Sequence, residues 1–200
     1  MSLYHTGVLK KPPGSKRHRK RHIAQKSGFT IIELLIVIGI ISILAGAAVF
    51  GYRKYVRHSY TSEVYGMIAA IKSSEENYKA ETGRFLSTGS SENDFYPALY
   101  SSGTEPSKKK FDASTKPAWQ ALGVSSPSKY LYCGYVAIGG EANDFTDGGA
   151  RGISLFGGEV PKVPWYYIRA TCDLDGKSGQ NSYYETTFDR QTVYIENEGN

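Results

Sequence analysis

Few residues in this chain have the types and spacing that catalysis requires. Four of its 200 residues are histidines, and three of them lie within the first 22 residues, which leaves only His58 in the remainder. Catalytic triads, histidine–cysteine zinc sites and histidine acid–base catalysis therefore lack the residue on which they usually depend. The sequence also contains no Gly-x-Ser-x-Gly turn, phosphate-binding loop or dinucleotide-binding glycine pattern. We do not expect an enzyme.

One carboxylate occupies an unusual position. Glu33 directly precedes an uncharged run of nineteen residues, Leu34–Tyr52. A helix of that length rises about 28 Å, close to the thickness of the hydrocarbon core of a bilayer. An ionised side chain at the start of such a helix is costly in lipid and normally has a partner. The sequence therefore predicts one membrane-spanning helix with a functional carboxylate at its beginning.

Positive charge is concentrated before this run. The chain has 24 Lys and Arg against 19 Asp and Glu, and its formal net charge is +5. The first 28 residues contain no acidic residue and eight basic ones, namely Lys10, Lys11, Lys16, Arg17, Arg19, Lys20, Arg21 and Lys26. The rest of the chain is therefore mildly acidic. In such a chain, the three consecutive lysines at 108–110 are more typical of a solvated loop than of a nucleic-acid binding site. Because cytoplasmic flanks are rich in Lys and Arg, we expect the N-terminus in the cytoplasm and the chain beyond about residue 53 outside.

The segment around Glu33 resembles that of a known family. Type IV prepilins and their pseudopilin relatives carry a cleavage and methylation segment that is similar to residues 26–35, KSGFTIIELL. In that family a membrane prepilin peptidase cuts after the glycine and methylates the new N-terminus. The resemblance therefore implies a cut between Gly28 and Phe29, removal of a cytoplasmic leader at 1–28, and N-methylation of Phe29.

Cleavage at this bond would supply Glu33 with a partner. A carboxylate among apolar helices needs a cation, and the cut creates one in the amine of Phe29. In a stack of staggered helices, the amine of an incoming subunit could pair with Glu33 of its neighbour. That pair would set the register of the stack, which is the best-attested role of buried ion pairs. The alternative is that Glu33 simply lies at the cytoplasmic membrane interface.

Small residues in the apolar run favour close packing of helices. Gly39, Ser42 and Gly46 are spaced to lie on one helix face, where small side chains let backbones approach each other in lipid or in a filament core. The run also departs from the family pattern, because Phe50 occupies the position where common pilins have proline. We therefore expect no proline kink.

The resemblance implies an α+β, type IV pilin-like fold, in which a long N-terminal helix packs on a C-terminal antiparallel β-sheet. We expect the transmembrane or filament-core part of the helix at 29–52 and an amphipathic part at 53–83. Apolar residues recur in the second part at steps typical of one helix face, namely Val56, Tyr60, Val64, Met67, Ile71 and Tyr78. Glycine at position 83 favours a helix end there.

The remaining sequence predicts loops and strands. Residues 84–129 are rich in Ser, Gly, Pro and Lys, so we expect surface loop with short ordered pieces near 95–100 and 119–122. Residues 130–200 predict an antiparallel sheet interrupted by an exposed glycine-rich loop at 139–158. The predicted strands are Tyr130–Ile138, Trp165–Cys172, Tyr183–Asp189 and Thr192–Glu196.

Two further pairs of residues could form a cross-link or bind a metal. Cys133 and Cys172 fall in predicted strands of an exported domain, where an oxidising compartment favours a disulfide; two buried thiols are the alternative. Asp173 and Asp175 precede a glycine and could present oxygens to Ca²⁺, as C-terminal acidic loops do in related pilin-like proteins. Lys177 stands where an EF-hand has its third acidic position, and a simple hairpin turn explains the same residues.

The resemblance implies a structural subunit of a type IV pilus-like filament, used for motility, adhesion or DNA uptake. Its expected partners are copies of itself, other pilins, prepilin peptidase, and an inner-membrane assembly platform with its ATPase. We expect a single-pass inner-membrane protein before assembly and an extracellular filament subunit afterwards.

Two alternatives remain open. The chain could be a pseudopilin of a type II secretion system, whose filament is periplasmic. It could also be an exported binding domain whose signal is cut after Ala47, because Ala45-Gly46-Ala47 fits a small-x-small cleavage pattern. The leader of 28 residues is itself a departure, being long for pilins with phenylalanine after the cut.

Overall fold

The computed structural model describes residues 28–98, 108–174 and 181–197. The chain divides into two units, Met1–Ala45 and Gly46–Asn200. Of the predicted leader, only Gly28 belongs to the described residues. The second unit contains all of the strands and is called the head below.

One long helix, α1, begins at Ile31 and ends at Thr82. Its 52 residues contain no proline, so no backbone donor is missing along its length. The helix ends because Gly83 adopts the left-handed conformation, with φ +81°, and its N–H donates to the carbonyl of Lys79 at 2.8 Å. A glycine pays no steric penalty for this conformation, which explains why the helix stops at this residue.

Within its described residues, the head contains two antiparallel sheets and two short α-helices. Strands β1 and β2 form a two-stranded sheet, and strands β3 to β6 form a four-stranded sheet in sequential order. The elements that follow α1 are β1 (Lys109–Lys110), α2 (Pro117–Leu122), β2 (Tyr130–Leu131), β3 (Cys133–Gly140), α3 (Gly149–Leu155), β4 (Trp165–Cys172), β5 (Ser182–Thr187) and β6 (Tyr194–Glu196). The predicted α+β fold with an antiparallel sheet is confirmed.

Within the head, both faces of the four-stranded sheet are covered. Side chains alternate along a strand, so Tyr135 and Ala137 of β3 lie on one face and Val136 and Ile138 on the other. On the first face, the sheet and the apolar stripe of α1 pack together in one buried cluster. The fully buried residues of that stripe are Val64, Met67 and Ile71. The second face packs against α3 through a separate cluster that contains Val136, Ile138, Leu155, Trp165 and Tyr167.

The structure corrects the prediction of an exposed loop at 139–158. Helix α3 forms within this segment, and Gly152 and Leu155 of the helix are buried. A Cβ atom on Gly152 would lie 2.5 Å from Cε1 of Tyr167, so only glycine permits this close approach. The glycine-rich composition therefore reflects tight packing on the sheet as well as turns.

Two other predictions also change in detail. The predicted strand Tyr130–Ile138 is divided, because the N–H of Tyr132 donates to Oε1 of Glu63 on α1 at 2.8 Å instead of to a neighbouring strand. The described part of the segment 84–129, predicted as surface loop, contributes five buried side chains to the core. These are Phe85, Phe111, Trp119, Leu122 and Val124.

Candidate assembly segment and head

The first turn of α1 is closed by a reciprocal cap. Thr30 precedes the helix, and both its N–H and its hydroxyl donate to Oε2 of Glu33, at 2.9 and 2.6 Å. The N–H of Glu33 donates back to Oγ1 of Thr30 at 3.3 Å. This is a capping box, which satisfies backbone donors that the helix itself leaves unpaired. The sequence analysis did not identify Thr30, although its spacing of three residues before Glu33 is the signature of this cap.

The predicted cleavage bond lies just before this cap. Gly28, Phe29 and Thr30 are outside the helix, and all three are exposed. Phe29 is 79% exposed, and no atom lies within 4 Å of the position that a Cβ on Gly28 would occupy. The backbone at this bond is therefore neither helical nor covered by other described residues, and cleavage there stays a prediction.

The apolar run forms an uncovered part of the helix. The stretch Ile31–Val49 is nineteen residues long and, by length and composition, is suited to cross a membrane. None of it is buried within the described structure. A continuous exposed apolar surface of this size is typical of a segment that contacts a membrane or other protein.

The small residues of this run lie open on the helix surface. Cβ atoms added to Gly39 and Gly46 would meet no atom within 4 Å. Ser42 donates its hydroxyl to the carbonyl of Ile38 at 2.7 Å, so its polar group is satisfied within the helix. This face can therefore enter an apolar environment without losing a hydrogen bond, although its packing role stays a prediction.

The predicted disulfide is confirmed. Cys133 and Cys172 are bonded, and both are fully buried. The two residues are directly opposite each other in the register of β3 and β4. The bond therefore ties the beginning of the edge strand β3 to the end of β4, across a separation of 39 residues.

An ionic cluster that the sequence analysis missed joins the sheet to α3. Glu185 is 1% exposed and lies between two guanidinium groups, with Arg169 at 2.8 Å and Arg151 at 2.6 Å. Arg151 also pairs with Glu196 at 2.8 Å. The hydrogen bond to Glu185 raises the pKa of Arg151 above its ordinary value. Burial of the Glu185 carboxylate without these two arginines would be strongly unfavourable. The cluster therefore fixes α3 on the face of the sheet that carries Glu185.

A second buried carboxylate lies near the end of α1. Glu75 is fully buried, and its Oε2 accepts a hydrogen bond from the N–H of Leu86 at 3.0 Å. Its Oε1 has no hydrogen-bond partner among the described residues. Burial raises the pKa of Glu75 to about 7. Its spacing distinguishes it from the exposed Glu76, because Glu75 lies four residues after Ile71 and three before Tyr78, on the apolar stripe of the helix.

The suggested calcium site is not formed by the described residues. Asp173 is buried, whereas Asp175 lies outside the described part of the chain. Among the described residues, no group of three His, Cys, Asp or Glu side chains is arranged to hold a metal. Calcium requires six to eight oxygen ligands. Asp173 alone does not meet this requirement, and calcium binding stays an untested prediction.

Comparison with known proteins matches the N-terminal segment. The family model of the prokaryotic N-terminal methylation motif matches residues 23–49. The chain is 41% identical over 58 residues to fimbrial protein EcpC of Eikenella corrodens, covering 29% of this chain and 38% of that protein. It is 55% identical over 49 residues to the type IV major alpha-pilin of Moraxella bovis, covering 24% and 30%, respectively.

A longer match, of 81 residues at 32% identity, relates the chain to a fimbrial protein of Pseudomonas aeruginosa and covers 40% of this chain and 52% of that protein. The chain thus spans about a third to a half of the length of these curated relatives. No solved structure matches it significantly. The motif at residues 23–49 and the fimbrial relatives of that segment make the N-terminal part of this chain similar to that of type IV pilins, and it is followed by an antiparallel head.

Proposed function

We propose that this protein is a structural subunit of a type IV pilus-like filament. In this proposal the apolar part of α1 holds the subunit in the inner membrane before assembly and packs against other subunits afterwards. The head forms the filament surface. Motility, adhesion and DNA uptake are all compatible with such a filament.

One observation carries the proposal. The nineteen-residue apolar helix is uncovered, and it coincides with the segment that matches the methylation motif. A bilayer can cover this helix in a single subunit, and neighbouring helices can cover it in a filament. The disulfide in the head agrees with an oxidising compartment outside the cytoplasm.

Processing and assembly follow from the same segment. Prepilin peptidase would cut the exposed bond between Gly28 and Phe29 and methylate the amine of Phe29. The basic residues before the cut would keep the N-terminus in the cytoplasm until then. An assembly platform and its ATPase would extract the subunit from the membrane, and Glu33 would pair with the amine of a neighbouring subunit.

No catalytic activity is part of this proposal. The fimbrial relatives suggest a structural role, and the ion pairs of the head link secondary-structure elements to one another. Buried ion pairs of this kind fix a fold and need not mark a reaction centre.

The proposal is tested by the intact mass of the protein from two cell fractions. We expect a methylated chain that begins at Phe29 to be abundant among sheared surface filaments. The same chain confined to membranes would contradict a surface filament and favour a secretion pseudopilin. A chain that begins at Ala48 would contradict filament assembly altogether, because the apolar helix would be lost.

A further inference from the structure

One end of the head carries an excess of positive charge. The exposed lysines Lys108, Lys110 and Lys129 surround the sheet formed by β1 and β2, and together they are called the lysine surface. Lys108 and Lys129 lie over the rings of Tyr132 and Tyr130, at 4.7 and 5.9 Å. These contacts hold the ammonium groups at the protein surface.

Few acidic groups among the described residues balance the lysine surface. Asp112 pairs with Lys110 at 2.7 Å. Glu63 is half-buried and accepts a hydrogen bond from the backbone of Tyr132. Among the described residues, the three lysines of the lysine surface thus stand against two carboxylates, and the excess is positive.

The connection between β3 and β4 carries an excess of negative charge. Four exposed carboxylates, called the acidic surface, lie on it, and Lys162 is the exposed lysine of the same segment. They are Glu141, Asp144, Asp147 and Glu159. The segment that carries them is held firmly, because the indole N–H of Trp165 donates to the carbonyl of Asp144 at 2.8 Å and the ring of Phe145 stacks on that indole.

Glu141 and Asp144 of the acidic surface lie at the opposite end of the head from the lysine surface. Strand β3 begins at Cys133, next to Tyr132, and ends at Gly140, next to Glu141. Its eight residues span about 26 Å at about 3.3 Å per residue. Helix α1 runs in the same direction, since Tyr60 contacts Tyr132 with ring centroids 4.0 Å apart.

The other end of α1 lies beside the end of β3. Phe85 follows the helix by three residues, and a Cβ atom on Gly139 would lie 2.8 Å from Cβ of Phe85. Positive and negative charge are therefore separated along the direction of the helix. The length of β3 that separates them is more than twice the Debye length at physiological ionic strength.

We propose that the lysine surface of one subunit docks against the acidic surface of another copy of the chain. This inference rests on the proposed function and names the contact between heads within the filament. Surfaces at opposite ends of one molecule form a heterologous interface, in which each copy contacts the next through a different surface. Such an interface does not close on itself and propagates into a helical filament.

Chemical cross-linking of wild-type filaments tests the contact directly. A carbodiimide joins a lysine and a carboxylate only when the two groups touch. Lys108 lies over Tyr132, just before the start of β3, and Glu141 follows the end of β3 about 26 Å away, so a bond between Lys108 and Glu141 must join two subunits. We expect mass spectrometry to find linked peptides that connect residues of the lysine surface with residues of the acidic surface.

Charge reversal tests the same contact independently, through the yield of sheared filaments. We expect the double substitution Lys108→Glu/Lys129→Glu to lower the yield of sheared filaments at least about tenfold, because like charges across an interface are strongly unfavourable. Adding Glu141→Lys/Asp147→Lys to the same chain restores opposite charges and should recover the yield. The matched control, Arg84→Glu/Arg190→Glu, makes the same change in net charge at exposed sites that belong to neither surface and should cause no loss.

The outcomes separate this interface from the proposed function. Abundant wild-type filaments with no such cross-links, and with unchanged yield in the double variant, would overturn the interface alone. Absence of wild-type filaments would overturn the proposed function, and the interface with it. Proper folding of each variant is checked by formation of the disulfide in the head.

Discussion

Thr30 and Glu33 cap the start of α1 reciprocally, and the cap uses a single carboxylate oxygen. Oε2 of Glu33 accepts both hydrogen bonds from Thr30. Among the described residues, no hydrogen bond is made to Oε1. The same side chain can therefore close its own helix and still receive a cation from a neighbouring subunit.

This geometry separates the two roles of Glu33. We expect Glu33→Ala to be cleaved and to reach the membrane but to assemble poorly, because the cation loses its partner. Thr30→Val removes the reciprocal cap and costs about 1 kcal/mol of helix stability, yet it keeps the carboxylate, so filament yield should fall only slightly. The yield of sheared filaments measures the assembly of both variants. Equal losses in the two variants would mean that Glu33 acts through the cap alone.

Substitution at the predicted cut tests processing. Gly28→Leu should leave the leader attached, because a large side chain at this exposed position would not fit a peptidase that selects a small residue. Intact mass of the membrane-bound chain gives the result, with Ser27→Ala as the control for a harmless change nearby. Normal processing of the leucine variant would place the cut elsewhere.

The disulfide should contribute strongly to the stability of the head. The chain-entropy model gives about 4 kcal/mol for a loop of this length. We expect Cys133→Ser/Cys172→Ser, studied in detergent, to unfold at a clearly lower denaturant concentration than the oxidised wild type. Reduction of the wild type provides the matched control and should produce a similar loss. An unchanged midpoint in both would contradict a stabilising bond.

Glu75 should make the head less stable as the pH rises. Burial raises the pKa of Glu75 to about 7, from an ordinary value of 4.5 for a glutamate side chain. The folded state therefore retains a proton that the unfolded state releases, and folding stability falls between about pH 4.5 and 7. The full loss is about 3 kcal/mol, since each pKa unit corresponds to about 1.4 kcal/mol.

Denaturant unfolding between pH 4.5 and 8 measures this dependence. Glu75→Gln should flatten the slope, because glutamine does not ionise and can still accept the hydrogen bond from Leu86. Glu81→Gln, at an exposed position of the same helix, should leave the slope unchanged. An equally steep slope in Glu75→Gln would assign the pH dependence to another group.

Gly152 should be essential for the packing of α3 against the sheet. We expect Gly152→Val to destabilise the head by about 1–3 kcal/mol, because its side chain would overlap the ring of Tyr167. Ala150→Val is the matched control, since Ala150 is exposed on the same helix. Thermal unfolding compares the two variants. A similar melting temperature for both would show that α3 can move away from the sheet at little cost.

Local sequence patterns determined the elements that depend on neighbouring residues. The uncharged run and its preceding glutamate predicted the apolar helix, and a glycine at position 83 predicted its end. Strand β4 was predicted with the bounds that the structure has, because aromatic and β-branched residues fill it without interruption. The disulfide was predicted from two cysteines in strands of an exported domain.

Tertiary structure alone decided the features that depend on distant residues. The glycines around α3 look locally like a loop, and only the approach of Gly152 to Tyr167 turns them into a packed helix. Arg151, Arg169 and Glu185 are far apart in the sequence, and the register of β4 and β5 brings the last two together. Strand pairing and burial are non-local, so no short pattern encodes which charges meet or which end of the head becomes positive.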